Sequence, residues 1–364
     1  YSFSKTLGGS CIAVFSYYLS SPFKLLLVFF SNQQLHIFFN LIVALKLSLA
    51  SAAFAYFCVN RFPRSNNEQA YTYILISIGY GLCQYNIAQC SNIMWLDGVY
   101  MLPFLLLQVY YIVHGKKTWH LSFLVGATIL FNWYSAGIDC IFTGFWFLFE
   151  LFMLMVDKKL NIKEFLSAIL HYIASMILGV LLSSILFLPT IGALQKSSRS
   201  SLIWNELRNF SFLGNVFTAV NKYTYGSLNE LGSVALFCGS LPITLAISIF
   251  CNNRISCLKR ILLGILFSGT ILLFYWNPLY VLFSLLQWVT SYNYRYSYIG
   301  IFVILFLAIY NSRELTDKKN LYRFAFSCVS YSALLIVVSY VKHSSSQSYI
   351  IATAIFIILT SALY

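Results

Sequence analysis

The sequence predicts an all-α, polytopic bundle of membrane-crossing helices, and three observations carry that prediction. Only 9% of the 364 residues are charged while 60% are hydrophobic, against about 25% charged in a soluble domain. The apolar residues gather in long runs of the length that takes a helix across a bilayer. The basic residues collect in alternate connections between those runs, as the cytoplasmic bias of Lys and Arg requires. Aromatic residues at 18% exclude a disordered chain. The runs lack the polar–apolar alternation of barrel strands.

Eleven spans follow in order: 35–59, 70–86, 94–113, 118–135, 138–156, 165–190, 233–250, 261–275, 296–311, 324–341 and 348–364. The run from Phe165 to Thr190 is the clearest, because it holds no Asp, Glu, Lys or Arg. Before the bundle (35–364), residues 1–34 form an outer-face interfacial or re-entrant segment. Its apolar stretches Cys11–Leu19 and Leu25–Phe30 are divided by Ser20-Ser21-Pro22. They make either one kinked helix or two interfacial pieces. The one long outer loop covers about 191–232. Within it Ile203, Leu207, Phe210, Leu213 and Phe217 recur at helical spacing, which predicts an amphipathic helix lying on the membrane or packed onto the bundle.

One set of loops holds fourteen Lys and Arg, from Arg61 to Arg323, and the opposite set holds seven, including Arg208 and Arg295. The first set is placed in the cytoplasm by this bias. The net charge of +13 is scattered, not clustered, so it does not point to nucleic acid. Nine cysteines form no CxxC pair, and the five histidines form no HExxH; metal knuckles and disulfide frameworks are not indicated. A nucleotide-binding loop is absent as well, since Gly79-Tyr80-Gly81 sits inside an apolar run and lacks a third glycine.

Polar groups in or beside the apolar zone mark the candidate site. Lys46 lies near the middle of its span, where an ammonium is costly unless paired, hydrated or stretched to an interface. The functional reading is a cation that faces a water-filled cavity and holds an anionic group. Asp97 and Asp139 fall at the outer starts of their spans, as general bases or metal ligands, or else as helix caps. Arg295, in Asn293-Tyr294-Arg295-Tyr296-Ser297, opposes a helix dipole; its planar fork suits a phosphate or carboxylate, with an aspartate of the chain as the bland partner. Trp95, Trp133, Trp204, Trp276 and Trp288 lie toward the outer side, as an aromatic belt or as rings that stack on a sugar.

These pieces resemble, in order, the YfhO family of bacterial membrane proteins. Leu7-Gly8-Gly9-Ser10, Tyr17-Tyr18 and Ser21-Pro22 resemble its first outer loop, and Leu45-Lys46-Leu47-Ser48-Leu49-Ala50 its lysine-bearing helix. Asn92 to Asp97 resembles its segment ending in Trp-Leu-Asp. Asn132-Trp133-Tyr134 is similar to its Asn-aromatic-Tyr turn, and Asn293 to Ser297 to its Tyr-Arg-Tyr/Phe-Ser segment. Such proteins are similar to GT-C glycosyltransferases, which work on the outer membrane face with a polyprenyl-phosphate sugar donor.

The resemblance implies a membrane glycosyltransferase of the bacterial cell envelope that transfers a sugar from that lipid-linked donor to an envelope polymer. Asp97 and Asp139 are then the catalytic carboxylates, and Arg295 and Lys46 hold the donor phosphate. Trp95, Trp133, Tyr134 and Tyr294 contact sugar and lipid, and a divalent cation is an open option. The family's acidic residue usually follows the first membrane helix. With Tyr1 first and an apolar run ending at Tyr364, the expectation is a fragment lacking that helix and a C-terminal part. The alternative is a transporter or flippase for a lipid-linked or anionic solute, and a scaffold subunit leaves Lys46 and Arg295 unexplained.

Overall fold

A computed structural model describes residues 11–63, 67–116, 118–157, 161–195, 203–225, 234–287, 289, 292–315, 318–341 and 347–363. Outside the described residues lie Leu7-Gly8-Gly9-Ser10, Trp288 and the basic residues Lys5, Arg64, Lys117, Lys158, Lys159, Lys196, Arg199 and Lys342.

The architecture is all-α. The short helix α1 (Ile12–Val14) continues as a π-helical turn, Phe15–Leu19, and then a 3-10 helix, Pro22–Phe29. The axis bends by 85° between Leu19 and Pro22. There follow α2 (Leu35–Arg61), α3 (Asn67–Gly81), α4 (Gln84–Ala88), α5 (Leu96–Val113), α6 (His120–Phe131), α7 (Trp133–Asp157), α8 (Ile162–Leu182), α9 (Ser184–Gln195) and α10 (Ser240–Ser248). The last five are α11 (Cys257–Tyr275), α12 (Asn277–Phe283), α13 (Ser297–Ser312), α14 (Lys318–Val341) and α15 (Gln347–Leu363).

Every expected span contains helix, but only six helices among the described residues, in α2, α5, α7, α8, α11 and α14, are long and apolar enough to cross a membrane. The shorter ones stop for local reasons. The run 165–190 is not one helix. It breaks at Ser183, whose hydroxyl bonds back to the Val180 carbonyl at 2.9 Å and so competes with the backbone ladder. Between the runs 118–135 and 138–156, Asn132 leaves the helical region and its side-chain oxygen accepts the Ser135 amide at 2.8 Å. That cap starts α7 at Trp133, several residues earlier than expected.

The amphipathic helix expected over 203–217 does not form. A 3-10 turn, Trp204–Arg208, is followed by extended chain clipped to the α11–α12 junction by Leu213 N–H to Tyr275 (2.8 Å) and Asn277 N–H to Ser211 (3.0 Å). The Asn277 amide also takes the carbonyls of Glu206 and Asn209, which a continuing helix needs for itself. Gly214, at φ +126, has a backbone that no helix passes through. Phe210 stays exposed at 68%, although its ring stacks on Trp276 with centres 5.9 Å apart.

Two compact units emerge. One comprises Tyr1–Ala53, Gln89–Ile203 and Leu285–Gln287; the other holds Phe54–Ala88, Trp204–Ser284 and Trp288–Tyr364. In the first, α5, α6, α7 and α8 pack together. The crossing of α6 and α8 is close because Gly179 rests on Val125 and Gly126 faces the Gly179 carbonyl. In the second, α13 is buried along nearly its whole length. Phe302 packs edge-on against Phe54 and Phe57 at 5.3 and 5.1 Å. Its polar end is tied by Asn311, which donates to Ser248 and to the Leu245 carbonyl and accepts from Asn252.

A Cβ added at Gly179 would lie 2.6 Å from the Val125 side chain and 2.9 Å from the Ser122 carbonyl. Gly179→Ala is expected to lower stability by about 1–3 kcal/mol, read as a fall in thermal midpoint in detergent. Gly192→Ala, which meets nothing within 4 Å, is the control expected to leave the midpoint unchanged or raised. Equal midpoints for both variants would refute the close crossing.

Candidate functional site

The first unit is organised around two opposite charges sealed from water. Lys46, 0% exposed on α2, lies 2.7 Å from the Oδ1 of Asp97, 1% exposed in the first turn of α5. The ammonium also donates to the Ile93 carbonyl at 2.8 Å and sits 5.6 Å from the centre of the Phe23 ring. Asp97 Oδ1 accepts two further hydrogen bonds, from Ser21 at 2.9 Å and Tyr100 at 2.8 Å. Three segments therefore meet at one carboxylate oxygen, α2, α5 and the bend at Ser20-Ser21, and the 92–95 turn joins them through the Lys46 ammonium.

Two sequence expectations change here. Lys46 does not face a water-filled cavity; the anion it holds in this structure is Asp97. Nor does Asp97 act as a helix cap, since its bonds run to side chains of other segments and to Tyr100. Its second oxygen, Oδ2, is buried with no hydrogen-bond partner among the described residues. A buried, unpaired acceptor costs about 1–3 kcal/mol, so this oxygen is poised to accept.

An aromatic group adjoins the pair. Trp95, buried, donates from Nε1 to the Tyr17 hydroxyl at 2.7 Å. The Tyr17 ring lies 6.0 Å from Trp133 and 6.2 Å from Tyr134, and those two meet edge-on at 5.8 Å. Asn132 Nδ2 donates to the Tyr17 carbonyl at 2.9 Å, and Ser20 donates to the Phe131 carbonyl at 3.1 Å. Trp133 Nε1 is buried without a hydrogen-bond partner among the described residues. Trp95 is thus a buried strut, while Trp133 keeps a donor in reserve.

Asp139 is fully buried but lies beyond the first turn of α7, whose start belongs to Asn132. The expectation of an aspartate at the helix mouth is corrected for this residue. Arg295 belongs to the second unit. It is half-buried just before α13, and its Nε donates to the Tyr292 carbonyl at 3.2 Å. Tyr292 and Tyr294 both have left-handed backbones, φ 54 and 59, a strained arrangement for such residues that concentrates at functional segments. Tyr294 is wedged edge-on against Phe274, Tyr280 and Tyr296. Burial pushes its phenol up to about 12, so at neutral pH it is an uncharged donor.

Ser21, Tyr17 and Tyr100 were not assigned roles by sequence reasoning. Tyr100 had a signal, since a residue three positions after Asp97 shares its helix face. Ser21 and Tyr17 had none beyond their place in a motif. No three His, Cys, Asp or Glu residues gather among the described residues, and Asp97 already faces an ammonium.

Apolar spans, buried α13 and a sealed ion pair between helices define a polytopic α-helical membrane protein. The chain belongs to the YfhO family: the pattern of the family described as bacterial membrane protein YfhO matches residues 1–364. No curated protein and no solved structure matches it.

Removing one member of a buried pair strands the other charge. Lys46→Met is expected to lower stability by about 3–5 kcal/mol, and adding Asp97→Leu to recover most of that loss. Chemical unfolding of the single and double variants checks this. A double variant no more stable than Lys46→Met would deny the coupling.

Proposed function

We propose that the chain is a GT-C-like membrane glycosyltransferase that moves a sugar from a polyprenyl-phosphate donor to a cell-envelope acceptor on the outer face. The observation that carries this reading is the buried Lys46–Asp97 pair with its free Oδ2. A permanent structural pair has little need of an unsatisfied oxygen, whereas a carboxylate waiting for a hydroxyl does.

The donor phosphate competes with Asp97 for the Lys46 ammonium. Binding it leaves the Asp97 carboxylate without its cation and ready to accept a proton. Asp97 then takes the proton of the acceptor hydroxyl as that oxygen bonds to the sugar's anomeric carbon. The bond from that carbon to the phosphate oxygen breaks, and the departing phosphate keeps the electron pair. Lys46 holds the resulting charge; Arg295 is the further phosphate ligand that the family resemblance implies. Asp139 is the second carboxylate of the site. Trp95, Trp133 and Tyr134 supply ring faces and donors for sugar and lipid. The 85° bend beside Ser21 favours, as a second reading, a transporter or flippase with a broken helix at its site.

Transfer of labelled sugar by the full-length protein in vesicles distinguishes the two. Asp97→Asn is expected to reduce transfer at least about 100-fold while donor binding persists. Arg295→Lys is expected to weaken donor binding about tenfold through loss of the planar fork. Undiminished transfer by Asp97→Asn would remove the catalytic role. Movement of labelled donor across the bilayer without any sugar transfer would favour the transporter.

A further inference from the structure

The charges around Asp97 do not balance. Lys24, on the 3-10 helix Pro22–Phe29, is half-buried and its ammonium lies 5.8 Å from the centre of the Phe38 ring. Phe38, Ile42 and Lys46 follow one another at four-residue intervals on α2, so they form one stripe. Phe23 and Leu26 pack against that stripe through Phe38, Ile42 and Ile93. Lys24 is thereby held toward the stripe one residue beyond Phe23, whose ring carries the Lys46 ammonium. The charged groups that Lys24 feels are Lys46 and Asp97. Two ammoniums thus lie within electrostatic reach of one carboxylate, which is bonded to Lys46. Among the described residues one positive charge is in excess, in an apolar setting where an uncompensated cation is costly.

The same short helix presents the opposite character outward. Leu25, Val28 and Phe29 are 73%, 85% and 79% exposed. A cation turned inward beside an uncovered apolar surface suits a ligand with an anionic head and a hydrocarbon chain.

We propose that Lys24 and Lys46 together clamp the phosphate headgroup of an anionic lipid, whose chain runs over Leu25, Val28 and Phe29. This deepens the donor-phosphate reading above and rests on it, adding Lys24 as a second cation and the 22–29 arm as the lipid's track. The phosphate takes the excess charge of Lys24 first and then shares Lys46, which is how the buried pair becomes reachable.

The test uses the full chain in a nonionic detergent and follows the thermal midpoint as probe is added. Dodecyl phosphate is expected to raise the midpoint, and dodecanol is not. Inorganic phosphate is expected to act only at concentrations at least about tenfold higher, since it lacks the chain. Lys24→Gln should weaken dodecyl phosphate binding about tenfold or more, the loss of one charge-assisted contact, while Lys24→Arg stays near wild type. Val28→Ser should weaken dodecyl phosphate and leave inorganic phosphate unchanged.

Wild-type binding by Lys24→Gln, or dodecanol acting as well as dodecyl phosphate, would overturn the clamp. Inorganic phosphate matching dodecyl phosphate would overturn the lipid assignment. Failure of this inference is separable from failure of the transferase reading. Sugar transfer with phosphate binding unaltered in Lys24→Gln removes only the clamp. A clamp that binds in a protein with no transfer activity keeps this inference and removes the transferase.

Discussion

The contact between Lys46 and Asp97 is the constraint on which the first unit depends. Each charge taken from water into an apolar interior loses several kcal/mol of hydration, and only a close partner with further hydrogen bonds offsets it. The fold supplies those bonds from separate places: Ser21 from the bent N-terminal arm, Tyr100 from the next turn of α5, and the Ile93 carbonyl from the preceding turn. None of these can move far without exposing a charge to hydrocarbon. The 85° bend at Ser20-Ser21 is the geometric result, because it brings a serine hydroxyl to the carboxylate.

The aromatic group extends the same logic. Tyr17 accepts from Trp95 and is held at its carbonyl by Asn132, so the arm, α5 and the α6–α7 turn are fixed to one another by hydrogen bonds at both ends of a single residue. In the second unit the corresponding polar tie is Asn311, whose side-chain amide bonds only neutral groups, donating to Ser248 and the Leu245 carbonyl and accepting from Asn252. The contrast is instructive. A neutral, satisfied side chain is what a bundle uses to fix helices, while the first unit keeps an ion pair whose Asp97 Oδ2 has no hydrogen-bond partner among the described residues.

Helix content and membrane character were legible because they follow from composition and run length, which act locally. Lys46 and Asp97 were also legible as misplaced charges, since the cost of a buried charge is the same whatever its partner. Their pairing was not. They stand far apart in sequence, and charge alone did not choose between a substrate and each other. The α7 start was misplaced because the apolar run gave no hint that Asn132 would cap it. The 203–217 helix failed for a similar reason. Periodicity reported an apolar spacing, but Asn277 and Gly214 determined the backbone, and Phe210 stays exposed on it.

Lys46 also has a history before the fold exists. The chain is made from its N-terminus, so α2 reaches the membrane while Asp97 is still about 50 residues from being synthesised, several seconds away at ~5–20 residues per second. During that interval the lysine has no carboxylate, and a central lysine opposes insertion by about 2.5–3.5 kcal/mol. The long apolar run of α2 must outweigh that penalty unaided, or the helix must wait at the insertion machinery until α5 arrives. Either way, the ion pair imposes an order on biogenesis: the cation is committed first, and its counter-ion recruits α5 to it.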